Sequence, residues 1–373
     1  MTSIINPRLI DSFYMDNFKE LKKFQIKKNK YGIVYHDDYN KYDLGVGHPL
    51  IGDKPRKTMA FLKEKSIMTE LKLFTPQKVT EKDLLRVHTK EYVDLVKKLS
   101  ITGGMIAKDT PAPIGIYEYA SLAAGGTILS AKKLFRGFNC MINPLAGFHH
   151  ASRNASSGFC FFNDIAITIE YIREKYNLKK FLVVDLDVHH SNGTQDIYYD
   201  DQTVLNISFH QDGRTLYPGT GKLDEIGGDN AKGYTINLPL PPGTSRDSYL
   251  DAFKEIIPSI ATQFKPEIMI YQAGVDTHHS DPLANLLLTY QTYYHLANQI
   301  IGLSNNICKK LVVLLGGGYN SNACLISYYN VICGLLDKDQ YIKEEETTDY
   351  NAEYIKNLIN ELKKNLADYW DII

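Results

Sequence analysis

The chain has 373 residues, with 42 Lys and Arg against 43 Asp and Glu, and its net charge of −1 argues against a surface for direct nucleic-acid binding. It is 44% hydrophobic and 23% charged, as expected for a globular protein with a sizeable core. It shows neither an apolar run long enough for a membrane span nor a secretory signal, so we predict no membrane association. Five cysteines without a CxxC pair favour a reducing compartment. We expect a cytoplasmic protein, or a nuclear one as the alternative in a eukaryotic source.

Short apolar runs alternate with amphipathic segments along the chain. The apolar runs predict strands at 31–35, 140–143, 180–185, 203–209, 234–238, 267–272 and 310–315. The amphipathic patterns predict helices at 57–64, 91–99, 117–135, 165–175, 246–264, 289–305 and 323–336. Near-continuously apolar strands separated by helices are typical of a parallel sheet covered on both faces. We predict an α/β domain at 31–336, an N-terminal extension at 1–30, and a C-terminal segment at 337–373 with a helical pattern at 350–370.

Several predicted strands lead directly into conspicuous polar motifs. These motifs are PLAGFHH, DLDVHH, AGVDTHH and GGGY. Ligands and catalytic groups of open α/β sheets collect at the carboxyl ends of the strands. Any one motif could be a loop with a structural role, but four that meet at one edge of a sheet predict a functional site.

The motif DLDVHH offers ligands for a metal ion. Side chains alternate along a strand, so Asp187 and His189 should project to one side. Such a pair alone is more often held by structural hydrogen bonds than by a metal. With Asp276 from another strand end, it makes two carboxylates and one imidazole, which suit a catalytic Zn²⁺ site, or Fe²⁺ as the alternative. The histidine pair at 278–279 follows that strand in a loop, and we expect it at the surface or at a pocket rim.

Two adjacent imidazoles, His149 and His150, follow another predicted strand. Two carboxylates formally cancel the charge of a divalent cation, so water bound there would need a protein base. The pKa of histidine lies near working pH, so one imidazole can accept a proton while the other stabilises charge. Each ring needs an acceptor for its second nitrogen, and Asp185 and Asn192 are the candidates. Alone, such a pair is more often a satisfied loop or core pair, but beside a metal ion catalysis is favoured.

The run GGGY at 316–319 has some likeness to a phosphate-binding loop. It lacks the Lys and Ser/Thr of a P-loop, and the GxGxxG pattern fails because residue 321 is serine. Three glycines can instead bring the backbone close to the site and present Tyr319. We predict that Tyr319 hydrogen-bonds a substrate carbonyl oxygen.

In order and spacing, the motifs resemble the histone deacetylase superfamily, which includes acetoin-utilisation-type proteins and acetylpolyamine amidohydrolases. The resemblance covers about 31–336 and rests on GHP at 47–49, KDTPAPIGIYEYASLAAGGTI, GFHHASRNASSGFCFFND, VVDLDVHHSNGTQ, SFHQDGRTLYPGTG, YTINLPLPPG, AGVDTHHSDPLAN and GGGYN. It implies the arginase–deacetylase fold, a single-domain three-layer α/β/α sandwich with a mainly parallel sheet. It also implies a narrow acyl-lysine tunnel that ends at a metal ion.

The resemblance also implies roles for individual residues. The implied metal ligands are Asp187, His189 and Asp276. The implied catalytic residues are His149, His150, Tyr319, Asp185 and Asn192. The implied substrate-binding residues are Asp109, Gly158, Phe159, Tyr217 and Leu283. A structural K⁺ site near the metal is implied at Asp185, Ser208 and Phe209.

Within this set, His150 is the general base and acid, and Tyr319 polarises the acetyl carbonyl. Phe159 and Tyr217 form opposite walls of the tunnel, where many relatives carry Phe at the second position. Asp109 occupies the place of a rim carboxylate that holds the backbone amides of a peptide substrate. Without the resemblance, ordinary core, turn or strand roles would be favoured for Phe159, Leu283, Asp109 and Ser208.

The chain departs from the family pattern in ways that bear on subclass and substrate. Residue 192 is Asn where class I histone deacetylases have Asp, so His150 should be less readily protonated. Ser191 replaces a Gly common in that turn. The segment PLIGDKPRKT differs from the usual run after GHP, and it offers Arg56 as the counterpart of the family's channel arginine.

We predict a metal-dependent deacetylase that hydrolyses N-acetyl-lysine amides in proteins or peptides, with a metal-activated water, a His base and acid, and Tyr polarisation of the carbonyl. Asp109 favours this substrate over an acetylated polyamine, which is the first alternative. A second alternative is an arginase-like ureohydrolase, although Ser191 stands where its further carboxylate would be. A third is an inactive acyl-lysine binding module, which would need neither the His pair nor Tyr319.

Overall fold

The computed structural model describes residues 30–50 and 52–372, so the predicted N-terminal extension lies outside the described residues except for Lys30. The strands are β1 Tyr31–Val34, β2 Lys72–Phe74, β3 Gly104–Ala107, β4 Thr110–Ala112, β5 Cys140–Asn143, β6 Phe181–Asp185, β7 Val204–Gln211, β8 Thr235–Leu240, β9 Ile268–Gln272 and β10 Leu311–Leu314. The α-helices are α1 Lys54–Glu64, α2 Glu81–Leu84, α3 Lys90–Thr102, α4 Ile116–Leu134, α5 Asp164–Tyr176, α6 Asn192–Tyr198, α7 Arg246–Phe264, α8 Tyr290–Ile307, α9 Ser321–Leu336 and α10 Ala352–Leu366.

The central sheet has eight strands in the order β2-β1-β5-β10-β9-β6-β7-β8, and every neighbouring pair is parallel. It contains all seven predicted strands, with ends that shift by at most two residues. The sequence did not predict β2, because this edge strand exposes most of its side chains and lacks an apolar pattern. The β3–β4 hairpin is separate and antiparallel.

Successive residues of the central strands face opposite sides of the sheet and enter two different cores. Leu182 and Val184 pack with α7, α8, α9 and α10, whereas Phe181 and Val183 pack with α3, α4 and α5. Strands buried on both faces read as continuous apolar runs, which is why the runs were visible in the sequence. The predicted fold class, a three-layer α/β/α sandwich with a mainly parallel sheet, is confirmed.

The C-terminal segment packs onto the same layer as α7. Leu362 and Leu366 of α10 are buried in that core. Trp370 donates its indole N–H to the carbonyl oxygen of Gly233 at 2.6 Å. In the described part of the chain, none of the helices combines the length and the apolar character that a membrane crossing requires.

Candidate active site

The four polar motifs leave the sheet side by side. Strands β5, β10, β9 and β6 are consecutive neighbours in the sheet. Their registers pair Asn143 with Leu314, Leu314 with Gln272, and Gln272 with Asp185, so these strands end at one level. The loops that follow therefore converge at one edge, as the sequence predicted.

Asp187, His189 and Asp276 place their ligand atoms within 4.8 Å of one another. His189 Nδ1 lies 3.1 Å from Asp187 Oδ1 and 3.3 Å from Asp276 Oδ2. All three side chains are buried, and Asp276 Oδ2 has no hydrogen-bond partner among the described residues. Gly317, at φ +75°, passes so close that a Cβ atom would collide with Asp187 Oδ2. The backbone thus leaves a small space in front of the carboxylates, which fits a bound cation.

The charges at this cluster also favour a cation. Burial alone would lower the pKa of His189, but Asp187 and Asp276 raise it to about 10. Burial and the Asp187 charge raise the pKa of Asp276. Two buried carboxylates thus stabilise positive charge beside the imidazole, and a carboxylate–imidazole donor set suits Zn²⁺ or Fe²⁺.

The tandem histidines are each held from behind by a different acceptor. His149 Nδ1 lies 2.8 Å from Asp185 Oδ2, and His150 Nδ1 lies 2.6 Å from Asn192 Oδ1. Because an amide oxygen only accepts, His150 carries its proton on Nδ1 and keeps a lone pair on Nε2. The Nε2 atoms of the two rings face each other at 3.1 Å. With both Nδ1 atoms bonded, the two Nε2 atoms can share a proton between the rings.

The surroundings shift the pKa values of the two rings in opposite directions. Burial would lower the pKa of His149, but Asp185 and Asp187 raise it to about 9. Burial and the neighbouring His149 and His189 hold the pKa of His150 well below its usual value. At neutral pH the pair therefore combines a cationic His149 with a neutral His150, which is able to accept a proton.

The loop before His149 is fixed by Asp164, the first residue of α5. Its Oδ1 accepts from the Phe148 N–H at 2.8 Å, and its Oδ2 accepts from the Gly147 N–H at 3.2 Å and from Thr127 Oγ1 at 2.6 Å. The sequence carries no signal for this role of Asp164, since an acidic residue in the first turn of a helix is already explained by the helix dipole.

Tyr319 stands at the end of the glycine run after β10. Its backbone N–H donates to Asp281 Oδ2 at 2.7 Å, and its ring is edge-on to Phe159 and His189, with centroids 5.7 and 6.4 Å away. Burial and the charge of Asp276 raise the pKa of Tyr319 well above 10. Its hydroxyl therefore stays protonated and can donate a hydrogen bond. The sequence did not predict this role for Asp281, because its only signal is its place in the motif SDPLAN.

The cation beside the glycine run is Lys54 and not Arg56. Lys54 Nζ donates to the carbonyl oxygens of Gly317 and Gly318 at 3.1 and 3.2 Å. Arg56 is exposed, and its backbone N–H donates to Asn40 Oδ1. The expectation for Arg56 was wrong because α1 begins at Lys54, and two residues further along a helix a side chain points about 200° away.

Aromatic rings flank the approach to the cluster. Tyr217 is edge-on to His150, with ring centroids 5.2 Å apart. Phe159 is left-handed at φ +68°, next to Gly158, where a Cβ atom would collide with the His150 ring. A cavity of about 40 Å³ lies against Phe159 and the tandem histidines; its lining also includes Tyr319, Asp187 and Lys54 but not Tyr217.

Asp109 supports the Phe159 wall from the β3–β4 hairpin. Asp109 Oδ2 accepts from the Gly158 N–H at 3.0 Å, and Oδ1 accepts from Thr110 Oγ1 at 2.8 Å. The Phe159 N–H donates to Thr110 Oγ1 at 3.1 Å. Both carboxylate oxygens of Asp109 are therefore already bonded within the protein.

The remaining predicted site residues are Ser208, Phe209 and Leu283. Ser208 pairs in register with Asp185, and its Oγ is 2.9 Å from His210 Nδ1. Phe209 is buried in the core against Tyr249. Leu283 is half-buried in the loop after Asp276 and lies outside the lining of this cavity.

His278, His279 and Glu344 form a second cluster of possible metal ligands. The expected surface position holds for His279 but is wrong for His278, which is buried beneath the C-terminal segment. The Ser280 N–H donates to His278 Nδ1, which places the His278 proton on Nε2, where Glu344 Oε1 accepts it at 2.8 Å. A nitrogen that carries a proton has no lone pair for a metal, so we interpret this cluster as structural.

The chain is similar to known proteins over most of its length. The histone deacetylase domain model matches residues 48–335. A probable deacetylase of Archaeoglobus fulgidus is 34% identical over 358 residues, which cover 91% of this chain and 98% of that protein. The acetoin utilization protein AcuC of Bacillus subtilis is 34% identical over 299 residues, which cover 77% of each chain.

Among solved structures, the HDA15 HD domain is similar with a TM-score of 0.81 at 28% identity, covering 92% of this chain and 96% of that one. The resemblance predicted from the motifs is confirmed by these matches. The chain belongs to the histone deacetylase family.

Proposed function

We propose that the protein hydrolyses the N-acetyl amide of acetyl-lysine in proteins or peptides. The observation that carries the proposal is the meeting of the Asp187–His189–Asp276 cluster with the tandem histidines. His149 Nε2 lies 3.9 Å from Asp187 Oδ1, so one water molecule could contact both groups. Membership of a deacetylase family supports the same reaction class.

Asp187, His189 and Asp276 would hold the metal ion, which we propose is Zn²⁺, with Fe²⁺ as the alternative. When bound, such an ion polarises a carbonyl oxygen and lowers the pKa of water. The unpartnered Asp276 oxygen and the negative charge of two buried carboxylates support this assignment.

The remaining steps belong to the side chains of the protein. Asn192 fixes the His150 proton on Nδ1, so His150 Nε2 takes a proton from the attacking water and returns it to the leaving amine. The cationic His149, held by Asp185, stabilises the negative charge that develops on the former carbonyl oxygen. Tyr319 donates a hydrogen bond to that oxygen.

Phe159 and Tyr217 would contact the aliphatic stem of the acetylated side chain and exclude water from it. An acetylated polyamine has a similar stem and is the second candidate substrate. The observation that favours it is the engagement of both Asp109 oxygens within the protein, which reduces what this carboxylate offers to a peptide backbone.

We also propose a structural K⁺ near Asp185, Ser208 and the backbone of Phe209. Asp185 and Ser208 are paired on adjacent strands and are fully buried, which supports a shared ligand. An arginase-like site is disfavoured, because Ser191 is buried and its Oγ accepts from Asn206 Nδ2 at 3.2 Å in place of binding a second metal.

A panel of acylated substrates tests the proposal. The purified protein, reconstituted with Zn²⁺ or Fe²⁺, is assayed for acetate release from acetyl-lysine peptides and from N-acetylputrescine. We expect turnover with a higher kcat/KM on peptides. Preference for N-acetylputrescine would favour the second candidate. Tight binding of acetylated peptide without acetate release would instead indicate a binding module.

A further inference from the structure

The loop that follows Asp276 supports both halves of the candidate site. It begins at a proposed metal ligand. Further along, Asp281 accepts the backbone N–H of Tyr319 at 2.7 Å. Ser280 accepts from Asn320 Nδ2 with its carbonyl oxygen at 3.1 Å and with its hydroxyl at 3.2 Å. The position of this loop therefore fixes both the third ligand and the backbone that presents Tyr319.

The C-terminal segment reaches this loop through Glu344. Glu344 Oε1 accepts from His278 Nε2 and from the Tyr290 N–H, each at 2.8 Å, and Oε2 lies 3.2 Å from His279 Nε2. Gln291 Nε2 donates to the Glu344 carbonyl oxygen at 3.0 Å, and the Glu344 N–H donates to Gln291 Oε1 at 3.2 Å. Glu344 is thus held by the start of α8 and turned toward the two histidines.

A line of hydrogen bonds connects Glu344 to the residue beside Tyr319. Asn320 Nδ2 donates to Ser280 Oγ, which lies 2.9 Å from His278 Nδ1, and His278 Nε2 donates to Glu344. Because the Ser280 N–H also donates to His278 Nδ1, the proton of the His278 ring remains on Nε2 and the line has one direction.

We propose that Glu344 is a positioning residue, which orients His278 and through it the loop that bears Asp276 and holds Tyr319. The inference rests on the proposed function, since it gives the C-terminal segment a part in that same site. Replacing a residue that orients a metal ligand from outside the ligand shell typically costs about 10–100-fold in metal affinity or activity.

The test compares Glu344→Ala with Glu345→Ala, which removes the adjacent exposed glutamate. We measure the Zn²⁺ affinity of the metal-free protein by competition with a chelator, and kcat and KM on an acetyl-lysine peptide. Glu344→Ala should reduce affinity or kcat by about 10–100-fold with little change in KM. Glu345→Ala should match the wild type. Glu344→Gln should recover much of the loss, because its amide oxygen still accepts from His278.

The unfolding temperatures of the variants distinguish a loss of positioning from a loss of folding stability. If Glu344→Ala does not fold, Ser280→Ala breaks the same line, and it should lower affinity or kcat in the same direction. Normal affinity and kcat in Glu344→Ala, or in Ser280→Ala where that variant is needed, would overturn the inference, as would a lowered unfolding temperature alone. Absence of turnover in the wild type would count against the proposed function, while the Zn²⁺ affinities would still decide the role of Glu344.

Discussion

Two His-His pairs follow strands of the same sheet, one after β5 and one after β9, which lie on either side of β10. The pairs differ in the hydrogen-bond partners of their ring nitrogens. His149 and His150 each direct Nδ1 to an acceptor and turn Nε2 toward each other. His278 instead accepts at Nδ1 from Ser280, and its Nε2 proton is bound by Glu344. His150 Nε2 therefore has only the neighbouring imidazole beside it, whereas both ring nitrogens of His278 are bonded to groups outside the pair.

This difference shows that the acceptor on the second nitrogen decides what a histidine can do. A ring whose Nδ1 donates keeps a basic Nε2, whereas the His278 ring donates from Nε2 and already accepts a hydrogen bond at Nδ1. Adjacent imidazoles at a strand end are therefore insufficient to predict catalysis.

Removal of the proposed base should have the largest effect. His150→Ala should reduce kcat by about 10²–10⁴-fold, since it removes general acid–base catalysis. His279→Ala, in the structural pair, should lose far less. Steady-state kinetics on an acetyl-lysine peptide measures both variants, and equal losses would show that the two pairs do not differ in function.

The next largest effect should come from the Tyr319 hydroxyl. Tyr319→Phe should lower kcat by about 10²–10³-fold, as expected for loss of one donor to a developing oxyanion. Tyr217→Phe is the matched control, because the tunnel wall needs only its ring. Near-normal kcat in Tyr319→Phe would remove this residue from its proposed role.

The acceptor behind His150 should set the acidic limit of activity. Asn192→Asp places a carboxylate there, which favours the protonated ring and so raises the pKa of His150. Since protonated His150 cannot accept a proton, the acidic limb of the kcat profile should move to higher pH by roughly 1–2 units. An unchanged limb would indicate that another group limits activity at low pH.

His88 should have the smallest effect on turnover and a measurable effect on stability. Burial lowers its pKa to about 4, so it is neutral when folded and takes up a proton on unfolding below about pH 6.5. Its contribution to stability is therefore present above pH 6.5 and is lost as pH falls toward 4, by at most about 3 kcal/mol. Denaturant unfolding should show that the free energy of unfolding depends less on pH in His88→Gln than in the wild type. Identical slopes of the free energy against pH in the two proteins would contradict this.

The sequence predicted the sheet because its strands are buried on both faces and so leave continuous apolar runs. It predicted that Asp187, His189 and Asp276 lie together because parallel strands that end together bring their following loops together. The sequence did not predict the roles of Lys54 and Glu344. Each acts through a contact made more than sixty residues away, with Gly317 and with His278, and such pairings leave no periodic pattern.

The proposed hydrolysis of the acetamide requires a cation held by Asp187, His189 and Asp276. The most direct measurement is acetate release from an acetyl-lysine peptide while metal-free protein is titrated with Zn²⁺, alongside Asp276→Ala. We predict that turnover rises to a plateau at one ion per chain and is absent in the variant. Turnover that persists without metal, or folded wild-type protein that releases no acetate at any ratio of Zn²⁺ or Fe²⁺, would contradict the account.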